Sequence, residues 1–253
     1  PFMINVRPVD FRTPAITQFF MDNLTTWADP RLDIKYGGNS VGRWGIAQGP
    51  GGFIGVPSGY AAGSSVVKQA YFRSDAQVTN SITLQTDPYT GIIMNVAEVD
   101  FILAEAAAKG YINTTGEGYY YKGIADAVNY WLPALFTSAS DPAVKDYAIK
   151  GDIDWDNSVP LNSTSSGTAS KMGLIHLQKY YALFLVDFQQ WFEYRRTGHP
   201  ILPKGPGLVN GGRMPARLNY PLVTQSTNPT SYKNAVAAQG TDDINTLVWW
   251  QKP

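Results

Sequence analysis

The sequence predicts a mostly α fold with long irregular loops rich in glycine, proline and aromatic residues, and little β. Three observations carry this. Between residues 91 and 200, apolar side chains recur at helical spacing. Residues 1–90 and 201–253 lack sustained periodicity and gather turn formers. Strand-like alternation is confined to Ser81–Thr86, followed by a turn over Asp87-Pro88-Tyr89-Thr90-Gly91.

The first helix places Val99, Ile102, Leu103, Ala106 and Ala107 on one stripe, with Gly110 where a C-terminal cap belongs. The second runs from about Gly118 to Leu135, with a stripe of Ile124, Val128, Trp131, Leu132 and Leu135. The third starts near Ser170 and continues to Gly198, with Leu174, Leu177, Tyr181, Phe184, Leu185, Phe188, Trp191 and Phe192 on its stripe. Arg195 and Arg196 suit its C-terminal dipole. Small residues Ala104, Ala106, Ala107 and Ala108 on the first helix complement Tyr120 and Trp131 on the second. The short link between them predicts a tetratricopeptide-like helix pair, although no full 34-residue repeat is visible. A further short helix is expected over Ser231–Gln239.

Composition narrows the function. Of 253 residues, 20 are Lys or Arg and 20 are Asp or Glu, so formal charge is zero and charged residues make up only 16%. Aromatic residues make up 13% and cysteine is absent. A balanced chain with no basic cluster argues against nucleic acid. Disulfides and thiolate metal sites are excluded. No apolar run reaches the ~18 residues of a membrane-spanning helix. The chain opens Pro1-Phe2-Met3, with no initiator Met and no basic-then-apolar signal segment.

The catalytic motifs are missing. There is no H-E-x-x-H, phosphate-binding glycine loop or G-x-S-x-G elbow. His176 and His199 lie 23 residues apart, and His176 reads as a satisfied helix residue. Asp152, Asp154 and Asp156 alternate like the start of a calcium loop, but Asn157 and Ser163 stand where glycine and glutamate are required. They are weak metal candidates, and a solvated loop is the simpler reading. Glu98 and Glu105 share a helix face about 10 Å apart along the axis. That arrangement suits structural hydrogen bonding better than a glycosidase pair flanking a cleft. No catalytic residue and no cofactor is expected.

The remaining signal is aromatic. Residues 37–63 hold ten of the 24 glycines, interleaved with Tyr36, Trp44, Phe53 and Tyr60. A flexible linker would lack these rings. Trp131, Trp191 and Phe184 belong to helix stripes and are assigned to the core. Trp44, Tyr60 and Tyr36 stand outside any stripe and are candidate stacking platforms for a sugar ring. Asn39 and Gln48 are candidate hydroxyl partners.

Several strings resemble the SusD/RagB family. They are Asn95–Ala106 (NVAEVDFILAEA), Gln178–Phe184 (QKYYALF), Phe192–Pro200 (FEYRRTGHP) and Arg213–Pro221 (RMPARLNYP). Asp29-Pro30-Arg31-Leu32, Asn228-Pro229 and the ending Val248-Trp249-Trp250-Gln251-Lys252 fit the same series, nearest the branch ending in W-W-x-K. The resemblance implies a SusD-like fold and a non-enzymatic lipoprotein on the extracellular face of the Bacteroidota outer membrane. It implies binding of oligosaccharides or polysaccharides, or of peptides in some members, and a SusC-like TonB-dependent transporter as partner. Members run to about twice this length and carry a lipid-bearing Cys. The chain therefore resembles a C-terminal portion whose N-terminal half and anchor are absent. Residues 1–90 correspond to the ligand side, 91–200 to the helical core and 201–253 to a loop-rich tail.

Overall fold

The computed structural model describes residues 15–37, 42–73, 89–165 and 167–252. The expected strand at 81–86 lies outside them. The described residues form nine α-helical segments and one pair of two-residue strands, so the fold is mostly α with little β.

Helix α1 (Gln18–Thr26) starts where Thr17 accepts the Phe20 amide, and it buries Phe20, Met21 and Leu24. It corrects the expectation of an irregular 1–90 zone: a nine-residue helix sits at the centre of the core. Its signal, Phe20, Leu24 and Trp27 at helical spacing, is short and flanked by loop residues. A four-residue helix α2 (Ile34–Gly37) follows. Strands β1 (Ile46–Ala47) and β2 (Tyr71–Phe72) pair antiparallel, with Ile46 opposite Phe72.

Helices α3 (Val96–Ala108) and α4 (Gly116–Trp131) pack side by side, and α6 (Lys171–Ala182) packs on both. Asn95 caps α3 by accepting the Glu98 amide at 2.7 Å, while its side-chain amide donates to the Ala182 carbonyl at 2.8 Å. Gly123 permits the close approach: a Cβ there would lie 2.7 Å from the Phe101 ring. The predicted α3 stripe is corrected, because Val99 and Ile102 are exposed and the buried face is Ala97, Glu98, Asp100, Phe101, Ala104 and Glu105. Apolarity misread that helix because three of its buried positions are carboxylates held by cations. The α4 stripe is buried as predicted at Ile124, Val128, Trp131 and Leu132.

Helix α5 (Pro142–Lys150) is capped by Asp141 and begins with proline, a start signal in the sequence that the helical reading omitted. The predicted third helix is two: α6, capped by Ser170, and α7 (Gln189–Thr197), ended by Gly198 in the left-handed region. Leu185 (φ 63) and Asp187 (φ 44) break it. The break turns Leu183 and Val186 into the core and leaves Phe188 and Phe192 exposed. Trp191, assigned to the core from its stripe, instead lies half-buried outside it, donating to the Pro215 carbonyl with Arg195 over its ring. Helices α8 (Leu222–Thr227) and α9 (Pro229–Gln239) pack together in the tail. A 3-10 turn over Trp249–Gln251 precedes the chain end.

Candidate ligand cleft

Glycine clustering in this protein serves backbone-to-backbone contact. At Gly55 a Cβ would fall 2.4 Å from the Thr17 carbonyl carbon. There the Gln18 amide donates to the Val56 carbonyl at 2.6 Å and the Val56 amide to the Ile16 carbonyl at 2.9 Å. At Gly205 a Cβ would fall 2.2 Å from the Ser58 carbonyl oxygen, and the Gly207 amide donates to the Gly59 carbonyl at 2.7 Å. Loop 55–60 is thereby zipped to the start of α1 on one side and to the tail on the other.

Between these three segments lies a cleft of about 530 Å³ lined by Gln18, Phe19, Asp22, Asn23, Pro57, Ser58, Pro203, Lys204 and Gly205. Its chemistry is mixed and near neutral: two amides, a hydroxyl, one carboxylate, one ammonium and one ring. Asn23 is held in place by donating to the Tyr181 hydroxyl at 3.0 Å. Phe19 meets Tyr180 edge-on at 5.8 Å. Tyr180 in turn lines an adjoining apolar hollow of about 240 Å³ with Phe20, Phe72 and Phe184. Burial pushes the Tyr180 phenol up to about 12, so it is an un-ionised hydroxyl at any physiological pH. The lining is suited to a small polar molecule with apolar faces.

The residues predicted for this role fare differently. Trp44 is fully buried, edge-on to Trp131 at 6.0 Å and tilted on Phe184 at 4.3 Å, with the Arg31 guanidinium 4.6 Å from its ring centre. It offers no face to a ligand, which corrects its reading as a stacking platform. A tryptophan inside a glycine loop need not be exposed when the loop wraps over it. Tyr60 is 36% exposed, beside the glycines that join the loop to the tail. Gln48 is exposed on the turn after β1 and does not line the cleft. Asn39 and the Tyr36 side chain lie outside the described residues. Phe19, Asn23, Ser58 and Lys204 were not anticipated; the signal that could have found them is the Thr17 cap, which starts α1 and so aims its first turn.

The acidic run does not gather. Ile153 and Trp155 are buried, Asp152 and Asp156 point to solvent, and Asp156 accepts the Ser158 amide at 2.7 Å. Glu98 and Glu105 lie in a different place, a buried ionic cluster between α3, α6 and α7. Glu105 receives both Arg196 nitrogens at 2.7 and 2.6 Å and Lys109 at 2.5 Å. Lys179 is 3.0 Å from Glu193 and 3.7 Å from Glu98. Burial opposes ionisation of Glu105, but Arg196, with Lys109, holds its carboxyl well below the usual range. Burial also opposes ionisation of Glu193, and Arg196 with Lys179 holds it low. Burial raises Glu98. Among the described residues, Glu105, His176 and Glu193 place ligand-type atoms within 4.8 Å of one another. However, Arg196 Nη2 already contacts both Glu105 Oε2 at 2.6 Å and Glu193 Oε2 at 2.9 Å. The guanidinium takes the position a bound cation would need.

Among curated proteins none matches the chain. Among solved structures it is similar to a SusD homologue from Bacteroides thetaiotaomicron, with 20% identity, a TM-score of 0.61, and coverage of 94% of this chain and 52% of the other. A SusD homologue from Bacteroides fragilis shares 22% identity over 98% of this chain and 55% of its own, with a TM-score of 0.55. A chitin-binding protein shares 23% over 94% and 50%, with a TM-score of 0.58. These are likenesses of fold, and the chain spans about half the length of these relatives. Over residues 1–221 the sequence matches the SusD-like family described as starch-binding associating with outer membrane, and the chain belongs to that family.

Proposed function

We propose that the chain is the ligand-side, C-terminal portion of a non-catalytic glycan-binding subunit at the extracellular face of an outer membrane. It captures oligosaccharides and hands them to a SusC-like TonB-dependent transporter. The observation that carries this reading is the near-neutral cleft of amides, hydroxyl and Phe19 in a member of a family described as starch-binding. A chitin-binding protein among the fold relatives supports a glycan ligand. Aromatic faces stack on the apolar faces of sugar rings, and amides and hydroxyls bond to sugar hydroxyls, so net charge is not required. Tyr60, two residues beyond Ser58 and 36% exposed, serves in this reading as a secondary platform. The carboxylates that could act in hydrolysis, Glu98 and Glu105, are tied to cations away from the cleft, which supports binding without turnover.

Calorimetry against a panel of neutral α- and β-linked oligosaccharides tests the reading. A hit whose affinity falls on Phe19→Ala, with no sugar cleaved over the experiment, is the expected result. Binding by none of the panel in either this chain or a longer product of the same gene would overturn it. A second reading, a protein-interaction module of the same complex, is favoured by one observation. The outward face of α3 leaves Val96, Val99 and Ile102 exposed beside Ile93, which is 90% exposed. A blank glycan panel together with capture of the transporter would select it.

A further inference from the structure

Helix α7 buries no residue of its own. Its attachment to α3 and α6 runs through Glu193 and Arg196, and its end leads directly into His199 and then the 203–205 wall of the cleft. His176, on α6, lies against this attachment. It is 1% exposed, with Nε2 3.3 Å from Glu105 Oε2 and Nδ1 3.7 Å from Glu193 Oε2. Neither ring nitrogen makes an aligned hydrogen bond. His199, 6% exposed, stacks parallel to it at 6.1 Å, and its Nδ1 is also without a hydrogen-bond partner.

We propose that His176 and His199 form a proton-sensitive latch, which holds α7 and the following cleft wall in place when both rings are neutral and loosens them on acidification.

The charges facing the pair set the direction. Glu98 and Glu105 come from α3 and Lys109 from the residue that follows it, Lys179 from α6, and Glu193 and Arg196 from α7. Three carboxylates then meet three fixed cations. Protonating both imidazoles makes five cations against three carboxylates, with two imidazolium rings stacked on each other. A protonated His176 would compete with Arg196 and Lys179 for Glu105 Oε2 and Glu193 Oε2, the oxygens that fasten α7. Burial lowers both histidines; Glu105 and Glu193 oppose this at His176, and at His199 the neighbouring His176 lowers it further. A group whose affinity for protons is lower when docked takes its proton on release, so docking weakens as pH falls below the ordinary imidazole value of about 6.5. Glu98, raised by burial, acts in the opposite direction, but only nearer the carboxylate range. The window for the latch is therefore pH 7.5 to 5.5.

The loosening does not depend on what the cleft binds; its effect on ligand release rests on the glycan-binding reading. Hydrogen exchange corrected for intrinsic pH dependence should show the opening equilibrium of residues 189–205 rising from pH 7.5 to 5.5 by up to about 10-fold for each imidazole kept neutral when docked, and so by up to about 100-fold for the pair. Amides of α4 should stay unchanged, which separates local opening from global unfolding. His199→Gln, less buried in the ionic cluster than His176, should reduce the rise to about half its logarithm or less, and His176→Gln should do the same if it folds. An equal rise in wild type and His199→Gln, or no rise in wild type, would overturn the latch. If the exchange behaves as stated but glycan affinity is absent at every pH, the latch stands and the ligand reading fails.

Discussion

In helices α3, α4 and α6 the chain achieves close packing with side chains. Phe101 fills the space left at Gly123, Tyr120 donates to the Ile153 carbonyl at 2.5 Å, and Asn95 ties α3 to the end of α6. In loop 42–60 and the tail around 203–208 it does so with backbone. Gly55 meets Thr17, and Gly205 and Gly207 meet Ser58, Gly59 and Tyr60 with no side chain between them. The helical region can absorb a change in one side chain by small shifts of others. The loop region depends on the absence of side chains, plus one large plug, Trp44, which joins it to Trp131 on α4. This contrast explains how an irregular segment supplies a defined wall to a cleft. Its shape is fixed from beneath and from both edges.

The largest effect is expected at the plug. Trp44→Ala should cost about 3–5 kcal/mol, as for other large-to-small changes in a packed core. Thermal unfolding by circular dichroism would read this as a large fall in Tm. A Tm within a degree of wild type would show that the loop does not rely on the plug. Next in size is Gly55→Ala. Its Cβ would collide with the Thr17–Gln18 backbone, and overpacking of this kind costs about 1–3 kcal/mol. The exposed Gly118, where a Cβ meets nothing within 4 Å, is the control: alanine there should be neutral or stabilising.

A third variant probes the helical side. Arg196→Met leaves Glu105 and Glu193 with fewer cations. The lowered carboxyls contribute stability above their unfolded value of about 4.5, and lose it as pH falls through the folded value. The loss in the variant should therefore be largest near pH 7, about 1–2 kcal/mol given that Arg196 is partly exposed, and should shrink below about pH 4.5. Denaturant melts at pH 7 and 4 check this; an equal loss at both would mean the charge pairing is not the cause. The smallest effect is expected at the cleft edge. Tyr60→Ala should weaken oligosaccharide binding by about 2–3-fold, a few tenths of a kcal/mol, because the ring is only partly exposed. Calorimetry with a bound sugar reads this directly.

Helix α4 was legible in the sequence because Ile124, Val128 and Trp131 form an ordinary apolar stripe, and the short α9 follows the start signal of Asn228 and Pro229. The α3 stripe misled because its buried side carries Glu98, Asp100 and Glu105, and local hydropathy cannot know that Lys179, Lys122 and Arg196 will neutralise them. The split between α6 and α7 was hidden because Leu185 and Asp187 adopt positive φ without being glycine. At the candidate site the sequence pointed to the loop, of which Pro57 and Ser58 line the proposed cleft, but the ring chosen within it, Trp44, is buried. Sequence spacing showed that Trp44 lies outside any helix stripe. Only the tertiary arrangement shows that the loop folds over it, against Trp131 and Phe184 from distant helices. Phe19 and Lys204 are 185 residues apart and meet only because glycine backbones let α1, the loop and the tail approach.

The central claim is that ligand is held in the cleft between α1, loop 57–58 and tail 203–205, with Trp44 serving the fold. Calorimetric titration of one oligosaccharide into wild type, Phe19→Ala and Trp44→Phe tests this most directly. Phe19→Ala should lose about 10-fold in affinity, near 1.4 kcal/mol, while staying folded at the titration temperature, whereas Trp44→Phe should keep affinity and lose Tm. Unchanged binding by Phe19→Ala, with a loss confined to Trp44→Phe at unchanged Tm, would contradict it.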